Sequence, residues 1–270
     1  MGGLTVPAVF GKLPVELKGL YFELDGNFPN HEANPLEPKN LVDLQKFTVD
    51  NGCDLGIAFD GDADRCFIVD ENGDAVSPST VCAMIAERYL GQNSGATIIH
   101  NLITSKSVPE IVAELGGTPV RTRVGHSFIK AKMAETGAVF GGEHSAHYYF
   151  SDFFNADSGM LAALHVLATL GVQDKPLSEL KGKYERYIAS GEINSEVADQ
   201  AASTKAVVEA FADRTVSSDD MDGVTVELTG GAWFNVRASN TEPLLRLNAE
   251  AATQEEVDAI VEEALRHIRG

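Results

Sequence analysis

Helical and strand-like segments alternate through the middle of the chain, and this alternation limits the possible folds more than any other feature. Between Pro78 and Gly171 the apolar spacing predicts four helices separated by three short strand-like runs. The helix predicted over His126–Thr136, for example, stops at Gly137, and glycine is a common helix terminator. Such alternation is typical of an α/β domain, in which helices cover a sheet.

A shorter segment of similar character precedes this domain. Gly19–Leu24 and Asp54–Phe59 are strand-like, and Leu41–Phe47 between them has helical spacing. This order predicts a β-α-β unit with parallel strands. Because about 60 residues form only a marginal core, we expect an incomplete module that is locally unstable.

The last third of the chain changes class. We interpret Gln173–Gly182, which holds a proline and several charges, as a linker. Strand-like runs dominate after it and indicate an α+β domain. The predicted strands are Ile188–Val197, Val224–Leu228, Ala232–Val236 and Leu244–Ala249, and the predicted helices are Lys205–Ala212 and Gln254–Ile268. We therefore expect α/β domains, with helices on both faces of a mixed sheet, at residues 1–77 and 78–180, and a C-terminal α+β domain at residues 181–270.

Composition and charge exclude several functions. The chain has 270 residues, with 21 Lys and Arg against 40 Asp and Glu, and its formal charge of −19 disfavours nucleic acid as a partner. No segment approaches the ~20 apolar residues that span a bilayer, so we expect no membrane partner. Cys53, Cys66 and Cys82 are odd in number, which favours the reducing cytoplasm over a disulfide framework.

An acidic loop, Asp60-Gly-Asp-Ala-Asp-Arg65, lies between two apolar strand-like runs. Its aspartates, Asp60, Asp62 and Asp64, alternate and so lie on one side of the loop. Two like charges about 4 Å apart repel by roughly 4 kcal/mol at an effective dielectric near 20, so three carboxylates converge only around a cation. Mg²⁺ prefers oxygen ligands and seldom has a cage made of protein alone. The pattern favours magnesium over a solvated acidic turn.

A calcium loop of the EF-hand type is a further alternative for the same residues. Asp60, Asp62, Asp64 and Glu71 occupy positions 1, 3, 5 and 12 of such a loop. Position 6 requires Gly, however, and here it is Arg65. The flanks are strand-like, where an EF-hand has helices, so the pattern disfavours calcium.

A second polar loop combines arginines, hydroxyls, an amide side chain and the N–H groups of a turn. It consists of Arg237, Ser239, Asn240 and Thr241, with Arg246 a few residues later. Arginine can bind two phosphate oxygens at once, and N–H groups in a turn bind anions. The loop is a candidate phosphate site, and a solvated surface turn is the alternative.

A third polar string follows Gly142. If it is extended, Glu143, Ser145 and His147 share one face and His144 points away. A carboxylate, a hydroxyl and an imidazole on one face suit the hydroxyls of a sugar, whereas a zinc site with His144 or a structural strand end are alternatives.

Some charged side chains outside these loops are further candidates. Lys106 and His126 lie where a loop leads into a helix, a frequent place for ligand-binding groups. Lys130 and Lys132 indicate a solvated helix face.

Taken in order, the three polar strings resemble those of the alpha-D-phosphohexomutases, the phosphoglucomutase and phosphomannomutase family. The aspartate loop, a Gly-Glu-x-Ser-x-His string and an Arg-x-Ser-Asn-Thr-x-Pro loop occur in the family's order, and the resemblance covers nearly the whole chain. It implies that residues 1–77 belong to the family's second domain, residues 78–180 to its third and the rest to its fourth.

The resemblance also implies an activity. Members interconvert hexose 1-phosphate and hexose 6-phosphate, here of mannose or glucose, through a phosphoserine, Mg²⁺ and a hexose 1,6-bisphosphate that acts as intermediate or activator. The resemblance implies that Asp60, Asp62 and Asp64 bind Mg²⁺ and that Arg65 contacts the phosphoryl group being transferred. It implies sugar binding by Glu143, Ser145 and His147, and a place near the sugar phosphate, with proton transfer, for Lys106 and His126. The phosphate that is not transferred would be bound by Arg237, Ser239, Asn240, Thr241 and Arg246.

The sequence departs from the family pattern in two ways. Ala146 stands where many members carry Gly, and the family's Thr/Ser-x-Ser-His-Asn-Pro loop does not occur; Asn30-His-Glu-Ala-Asn-Pro35 lacks the hydroxyl. Because the phosphoserine is the covalent carrier, we expect a fragment that is inactive without the missing N-terminal domain of a parent chain. A non-catalytic sugar-phosphate-binding module and a phosphoglucosamine mutase-type substrate are alternatives.

Overall fold

The computed structural model describes residues 1–239 and 242–270, which form two compact units. The first unit comprises residues 1–121 and 125–184, and the second comprises residues 122–124 and 185–270. Each unit has its own hydrophobic core. Residues on both sides of the predicted boundary at 77 contribute to one core, so a domain division there stays a prediction.

The chain up to residue 184 contains both helices and strands. The helices are α1 (Gly2–Phe10), α2 (Val42–Asp50), α3 (Pro78–Gln92), α4 (Ser107–Glu114), α5 (His126–Thr136), α6 (Gly159–Leu170) and α7 (Leu177–Lys181), with 3-10 helices at Pro38–Asn40 and Ser151–Phe153. The strands are β1 (Leu55–Phe59), β2 (Cys66–Asp70), β3 (Ala75–Val76), β4 (Thr97–Asn101), β5 (Thr118–Thr122), β6 (Phe140–Gly142), β7 (Tyr148–Phe150) and β8 (Ala156–Asp157). Within the described ranges, no helix is both long and apolar enough to cross a membrane.

The first sheet is antiparallel, with strand order β1-β2-β3. The predicted parallel pairing of Gly19–Leu24 with Asp54–Phe59 is wrong, because among the described residues Gly19–Leu24 joins no sheet and β1 pairs with β2. Only six residues, 60–65, connect β1 to β2, which is too few for a parallel connection. A short loop of this length forces a hairpin and places the aspartates at its tip.

The predicted strand over Gly19–Leu24 is also wrong, because this segment runs as bends and irregular backbone. Tyr21 has a positive φ of 55°, which interrupts an extended chain. Its hydroxyl donates to Asp43 Oδ2 at 2.7 Å. The apolar run packs through single side chains instead of joining a sheet.

The second sheet has strand order β5-β4-β6-β7-β8. Strands β4 and β6 are parallel, whereas β7 is antiparallel to β6 and to β8, so the sheet is mixed, as predicted. Helix α3 is the centre of the core, since ten of its residues are buried. It contacts α4 and α6, and the side chain of Ser158 caps the start of α6 by accepting from Leu161 N–H at 3.2 Å.

The predicted linker over Gln173–Gly182 is wrong in part, because it contains α7. Leu177 and Leu180 of this helix are buried in the core of the first unit. Glu71 accepts a hydrogen bond from Ser178 N–H at 3.2 Å. Two leucines three residues apart can anchor even a single helical turn, which the charged composition of the segment conceals.

The second unit is an antiparallel sheet with two helices. Its strands are β9 (Ile188–Ala189), β10 (Ile193–Glu196), β11 (Thr215–Asp219), β12 (Val224–Leu228), β13 (Trp233–Ala238) and β14 (Leu244–Ala251), and its helices are α8 (Gln200–Ala210) and α9 (Gln254–Arg269). The strand order is β10-β14-β13-β12-β11, with β9 also paired to β14. Strand β11, which is polar and partly exposed, was not predicted; the α+β class was.

Candidate active site

The aspartate loop lies at the tip of the β1–β2 hairpin. Phe59, directly before the loop, pairs with Cys66, directly after it. The loop turns at Ala63, whose φ is 65°. One carboxylate oxygen from each of Asp60, Asp62 and Asp64 lies within 4.8 Å of the others, so the loop brings the three aspartates together.

Arg65 closes the loop on its own first residue. Its Nε donates to Asp60 Oδ2 at 2.7 Å, and its backbone N–H donates to Asp60 Oδ1 at 3.2 Å. Burial acts to raise the pKa of Asp60, but the hydrogen bonds and charge of Arg65 outweigh it and hold that pKa below its ordinary value. Asp60 is thus kept as an anion.

Asp64 is not balanced in this way. Burial and then the charge of Asp60 raise its pKa above the ordinary value, although the nearby His147 opposes them. Its Oδ1 is buried and accepts no hydrogen bond from the described residues. Apart from a distant ion pair with Arg65 Nε at 4.0 Å, this oxygen has no cation near it among the described residues. Three converging carboxylates, one of them with a buried oxygen that accepts no hydrogen bond, fit a hard divalent cation such as Mg²⁺, which would add positive charge.

The competing metal hypotheses find less support. Both flanks of the loop are strands, and Glu71, the position-12 residue of a calcium loop, is engaged with Ser178. His144 lies with its Nδ1 3.4 Å from Ser79 Oγ, and burial lowers its pKa. Within residues 1–239 and 242–270, the acidic and histidine groups that could hold a metal do not include His144.

The string from Glu143 to His147 is a tight turn between β6 and β7, so the extended form considered from the sequence is not adopted. Ala146 N–H donates to Glu143 O at 3.1 Å, and Glu143 N–H donates to His147 O at 3.0 Å. Ala146 has a φ of 69°. The turn nevertheless brings the three predicted side chains together, because Ser145 Oγ and Glu143 Oε2 lie 3.0 Å and 3.7 Å from His147 Nδ1.

This turn is joined directly to the aspartate loop. Cys66 N–H donates to Ala146 O at 3.4 Å, and Arg65 and His147 form an isolated antiparallel bridge. His147 Nε2 consequently lies 3.5 Å from Asp64 Oδ2. The predicted metal ligands and the predicted sugar-binding residues thus form one cluster.

Glu143 is the most buried member of that cluster, with 2% of its surface exposed. The hydroxyl of Tyr149 donates to Oε2 at 2.6 Å, and Gly125 N–H donates to Oε1 at 3.0 Å. Asn101 Nδ2 adds a longer contact to Oε1 at 3.4 Å. A buried carboxylate needs such donors, and they fix its orientation.

Sequence reasoning missed several residues around the cluster. Lys130, predicted to lie on a solvated face, forms a 2.9 Å ion pair with Asp157 Oδ1. Asp157 in turn can share a cation with Asp64 and His147. Lys130 follows His126 by one helical turn, which is the only sequence signal for its position; Asp157 has none.

The two remaining candidates of the first unit lie at helix starts, as predicted. His126 is the exposed first residue of α5, and its ring centroid lies 6.1 Å from that of His147. Lys106 is half-buried and immediately precedes α4. The structure therefore brings His126 to the cluster and places Lys106 after the strand that carries Asn101.

The predicted phosphate loop connects β13 and β14 in the second unit. Arg237 and Arg246 are directly opposite each other on these strands, and Ser239 N–H donates to Leu244 O at 2.8 Å at the base of the loop. The other two predicted residues, Asn240 and Thr241, lie outside the described residues.

Comparison with known proteins identifies a family for this chain. Three family models match: phosphoglucomutase/phosphomannomutase alpha/beta/alpha domain II at residues 1–73, alpha/beta/alpha domain III at residues 77–187 and the C-terminal domain at residues 192–267. Phosphomannomutase from Escherichia coli is 42% identical over 240 residues, which cover 88% of this chain and 52% of that protein. Phosphomannomutase from Methanocaldococcus jannaschii is 42% identical over 239 residues, covering 88% and 53%.

Similarity extends to solved structures. The crystal structure of a phosphoglucomutase/phosphomannomutase family protein from Burkholderia thailandensis superposes with a TM-score of 0.87 at 30% identity, covering 99% of this chain and 58% of that one. The chain spans about half the length of the curated relatives that it matches. Because three family models together match most of the chain and phosphomannomutases are 42% identical over 88% of it, the chain belongs to the phosphoglucomutase/phosphomannomutase family.

Proposed function

We propose that this chain is the metal-, sugar- and phosphate-binding part of a phosphohexomutase that interconverts the 1-phosphate and 6-phosphate of mannose or glucose. The observation that carries the proposal is the cluster of Asp60, Asp62 and Asp64 against Arg65 and His147. Relatives at about 42% identity are phosphomannomutases, which favours mannose phosphate as the first substrate to test.

In this proposal the first unit holds the reacting end of the sugar phosphate. Arg65, fixed by Asp60, stabilises negative charge on the phosphoryl oxygens through its guanidinium. Ser145 and His147 bind sugar hydroxyls, and the buried Glu143 orients these hydroxyls. His126 and Lys106 are the candidates for proton transfer to or from the sugar oxygen.

The three aspartates hold Mg²⁺ in this proposal. A bound Mg²⁺ neutralises charge on phosphoryl oxygens. Support comes from the buried oxygen of Asp64 that accepts no hydrogen bond from the described residues and from the convergence of the three carboxylates. Arg237, Ser239, Asn240, Thr241 and Arg246 bind the phosphate that is not transferred.

The proposal includes a parent protein, because phosphoryl transfer needs a serine carrier and the serine loop is absent from these 270 residues. Strand β1 supports it. Among residues 1–239 and 242–270, this wholly apolar strand pairs with β2 alone, and it lines a cavity of about 1060 Å³ together with the N-terminal segment. An exposed apolar edge strand tends to pair with another chain segment, so in this proposal a further strand of the parent pairs with the free edge of β1.

Conversion of mannose 1-phosphate by the purified chain tests the proposal, with Mg²⁺ and mannose 1,6-bisphosphate present. We expect no turnover by the chain alone. When the N-terminal half of a related phosphomannomutase is added, we expect turnover, and this turnover should depend on Asp62. Turnover by the isolated chain would contradict the missing carrier. Tight sugar-phosphate binding without turnover in either case would favour the alternative of a non-catalytic binding module. The same assay with glucosamine phosphates tests the other substrate class.

A further inference from the structure

Two arginines that should repel each other are placed side by side in the second unit. Arg237 of β13 and Arg246 of β14 are a directly opposed antiparallel pair, an arrangement that is destabilising for like charges. Arg237 is also buried, with 8% of its surface exposed. A counter-charge must therefore hold this pair together.

Glu192 supplies that charge to both arginines at once. Its Oε2 accepts from Arg237 Nη2 at 3.0 Å, and its Oε1 lies 3.5 Å from Arg246 Nη1. Glu192 immediately precedes β10, and Asn194 of that strand is paired with Arg246. The register of β10 on β14 thus delivers the carboxylate to a point between the two guanidinium groups.

A second carboxylate, that of Asp222, faces the other terminal nitrogen of Arg237. Asp222 Oδ2 lies 3.7 Å from Arg237 Nη1 and also accepts from Val124 N–H at 3.1 Å. The next residue, Gly223, has a φ of 69°, and a Cβ there would lie 2.7 Å from Arg237 Cα. Only glycine lets the turn approach β13 so closely, so the backbone is built to bring Asp222 to Arg237.

The Nε of Arg246 takes no part in these contacts. Arg246 Nε is buried and has no hydrogen-bond partner among the described residues. The carbonyl groups at the base of the adjoining loop are occupied, because Gln200 Nε2 donates to Glu242 O at 3.2 Å and to Leu244 O at 3.0 Å. A guanidinium N–H without a hydrogen-bond partner, on the strand that follows this loop, suits an anion.

We propose that Glu192 is a positioning residue for the phosphate site: it fixes the spacing and orientation of the Arg237 and Arg246 guanidinium groups so that Arg246 Nε is directed at a bound phosphate. The inference rests on the proposed function of this loop as a phosphate site. Asp222 acts in the same way on the other side of Arg237.

A substitution that removes the charge of Glu192 changes phosphate affinity in opposite directions under this role and under its main alternative. If Glu192 merely competed with phosphate for the arginines, Glu192→Gln would strengthen phosphate binding, because the site would gain one net positive charge. If Glu192 positions the arginines, the same substitution weakens binding in spite of that gain. Glu196→Gln is the matched control, since Glu196 is an exposed residue of β10 and its replacement changes the net charge equally.

The experiment measures binding of inorganic phosphate to the 270-residue chain by calorimetry, with wild type, Glu192→Gln, Glu192→Asp and Glu196→Gln. We expect Glu192→Gln to weaken binding about tenfold, the size of a coupling between contacting charged groups. Glu192→Asp, which keeps the charge, should recover part of this loss, and Glu196→Gln should match wild type. Unchanged or tighter binding in Glu192→Gln would overturn the proposal.

A second measurement needs no ligand and so separates this inference from the function of the loop. The ¹H–¹⁵N heteronuclear NOE of Arg246 Nε reports how rigidly the guanidinium is held in the free chain. We expect a high value in wild type and in Glu196→Gln, and a clear fall in Glu192→Gln. If no variant binds phosphate, the proposed function of the loop fails; if the NOE is the same in wild type and Glu192→Gln, the positioning role fails.

Discussion

The hydroxyl of Tyr149 donates a 2.6 Å hydrogen bond to Glu143 Oε2 in the buried part of the candidate active site. Burial, followed by the charge of Glu143, raises the pKa of Tyr149 well above its ordinary value, so the phenol remains a donor. We predict that Tyr149→Phe lowers the free energy of unfolding by about 1.5–3 kcal/mol, the usual contribution of a hydrogen bond to a charged group. The substitution should also weaken sugar-phosphate binding, measured by calorimetry, because Glu143 loses its orientation.

Tyr184→Phe is the matched control for this prediction. Tyr184 also donates to a carboxylate, Glu87 Oε2, at 2.7 Å, but Glu87 has no contact with the aspartate loop among the described residues. Chemical denaturation should therefore detect a loss of stability in both variants, whereas only Tyr149→Phe should alter ligand affinity. Equal ligand affinities in Tyr149→Phe and wild type would show that the orientation of Glu143 is unimportant for binding.

Metal binding should depend on Asp62, whose side chain is exposed and therefore dispensable for folding. We predict that Asp62→Asn weakens Mg²⁺ binding at least tenfold, equivalent to about 1.4 kcal/mol, because one of three converging charges is lost. The measurement is the Mg²⁺-dependent rise in Tm, which reports binding to the folded state. Asp74→Asn, an exposed aspartate of the β2–β3 turn, should behave as wild type; a similar loss in both variants would mean that Mg²⁺ binds only to the general negative charge.

Gly159 sets the distance between α6 and the aspartate loop. A Cβ at this position would lie 2.6 Å from Arg65 O and 3.0 Å from Ala63 O, so Gly159→Ala must displace the loop. We predict a loss of stability of about 1–3 kcal/mol, typical of overpacking, together with weaker Mg²⁺ binding. Gly91→Ala in α3 has open space around its Cβ and should stabilise the chain by about 0.5–1 kcal/mol. Unaltered Mg²⁺ affinity in Gly159→Ala would contradict the close fit.

Stability should fall in mildly acidic solution because of a buried histidine. Burial lowers the pKa of His100 to about 4 from 6.5, so the unfolded chain binds a proton between these pH values and the folded chain does not. The stabilising effect of neutral His100 is complete above pH 6.5 and is lost as the pH falls towards 4, with a slope of about 1.4 kcal/mol per pH unit. Burial also lowers the pKa of His144 and His165, which adds in the same direction.

Denaturant unfolding across this pH range measures the slope. His100→Gln should make it shallower, whereas His267→Gln, at an exposed position of α9, should leave it unchanged. Identical slopes in wild type and His100→Gln would mean that His100 takes up a proton without unfolding.

Local sequence signals predicted the ends of several helices, because glycine and serine have well-defined roles at helix ends. Helix α5 ends at Thr136, as predicted, because Gly137 adopts a φ of 67°, and α6 begins after Ser158, whose side chain caps it. The Gly19–Leu24 strand failed because strands need a pairing partner, which local apolarity does not reveal.

The sequence indicated which residues belong to the candidate site, but it did not predict all of the site's geometry. The aspartate loop and the Glu143–His147 string were found from their spacing, but the turn at Ala146 was not, because alanine rarely has a positive φ. Lys130 and Asp157, or Arg237 and Glu192, meet only through folding over long sequence separations. Such pairs become visible only when strand register and helix packing are known.

The central claim, that the aspartate loop is a magnesium site serving a sugar phosphate, is tested most directly by anomalous diffraction from crystals of the chain grown with Mn²⁺ and mannose 1-phosphate. The account predicts a manganese peak coordinated by Asp60, Asp62 and Asp64, with the sugar hydroxyls near His147 or the phosphate at Arg237 and Arg246. Aspartates splayed into solvent, with the metal and the ester bound elsewhere, would contradict it.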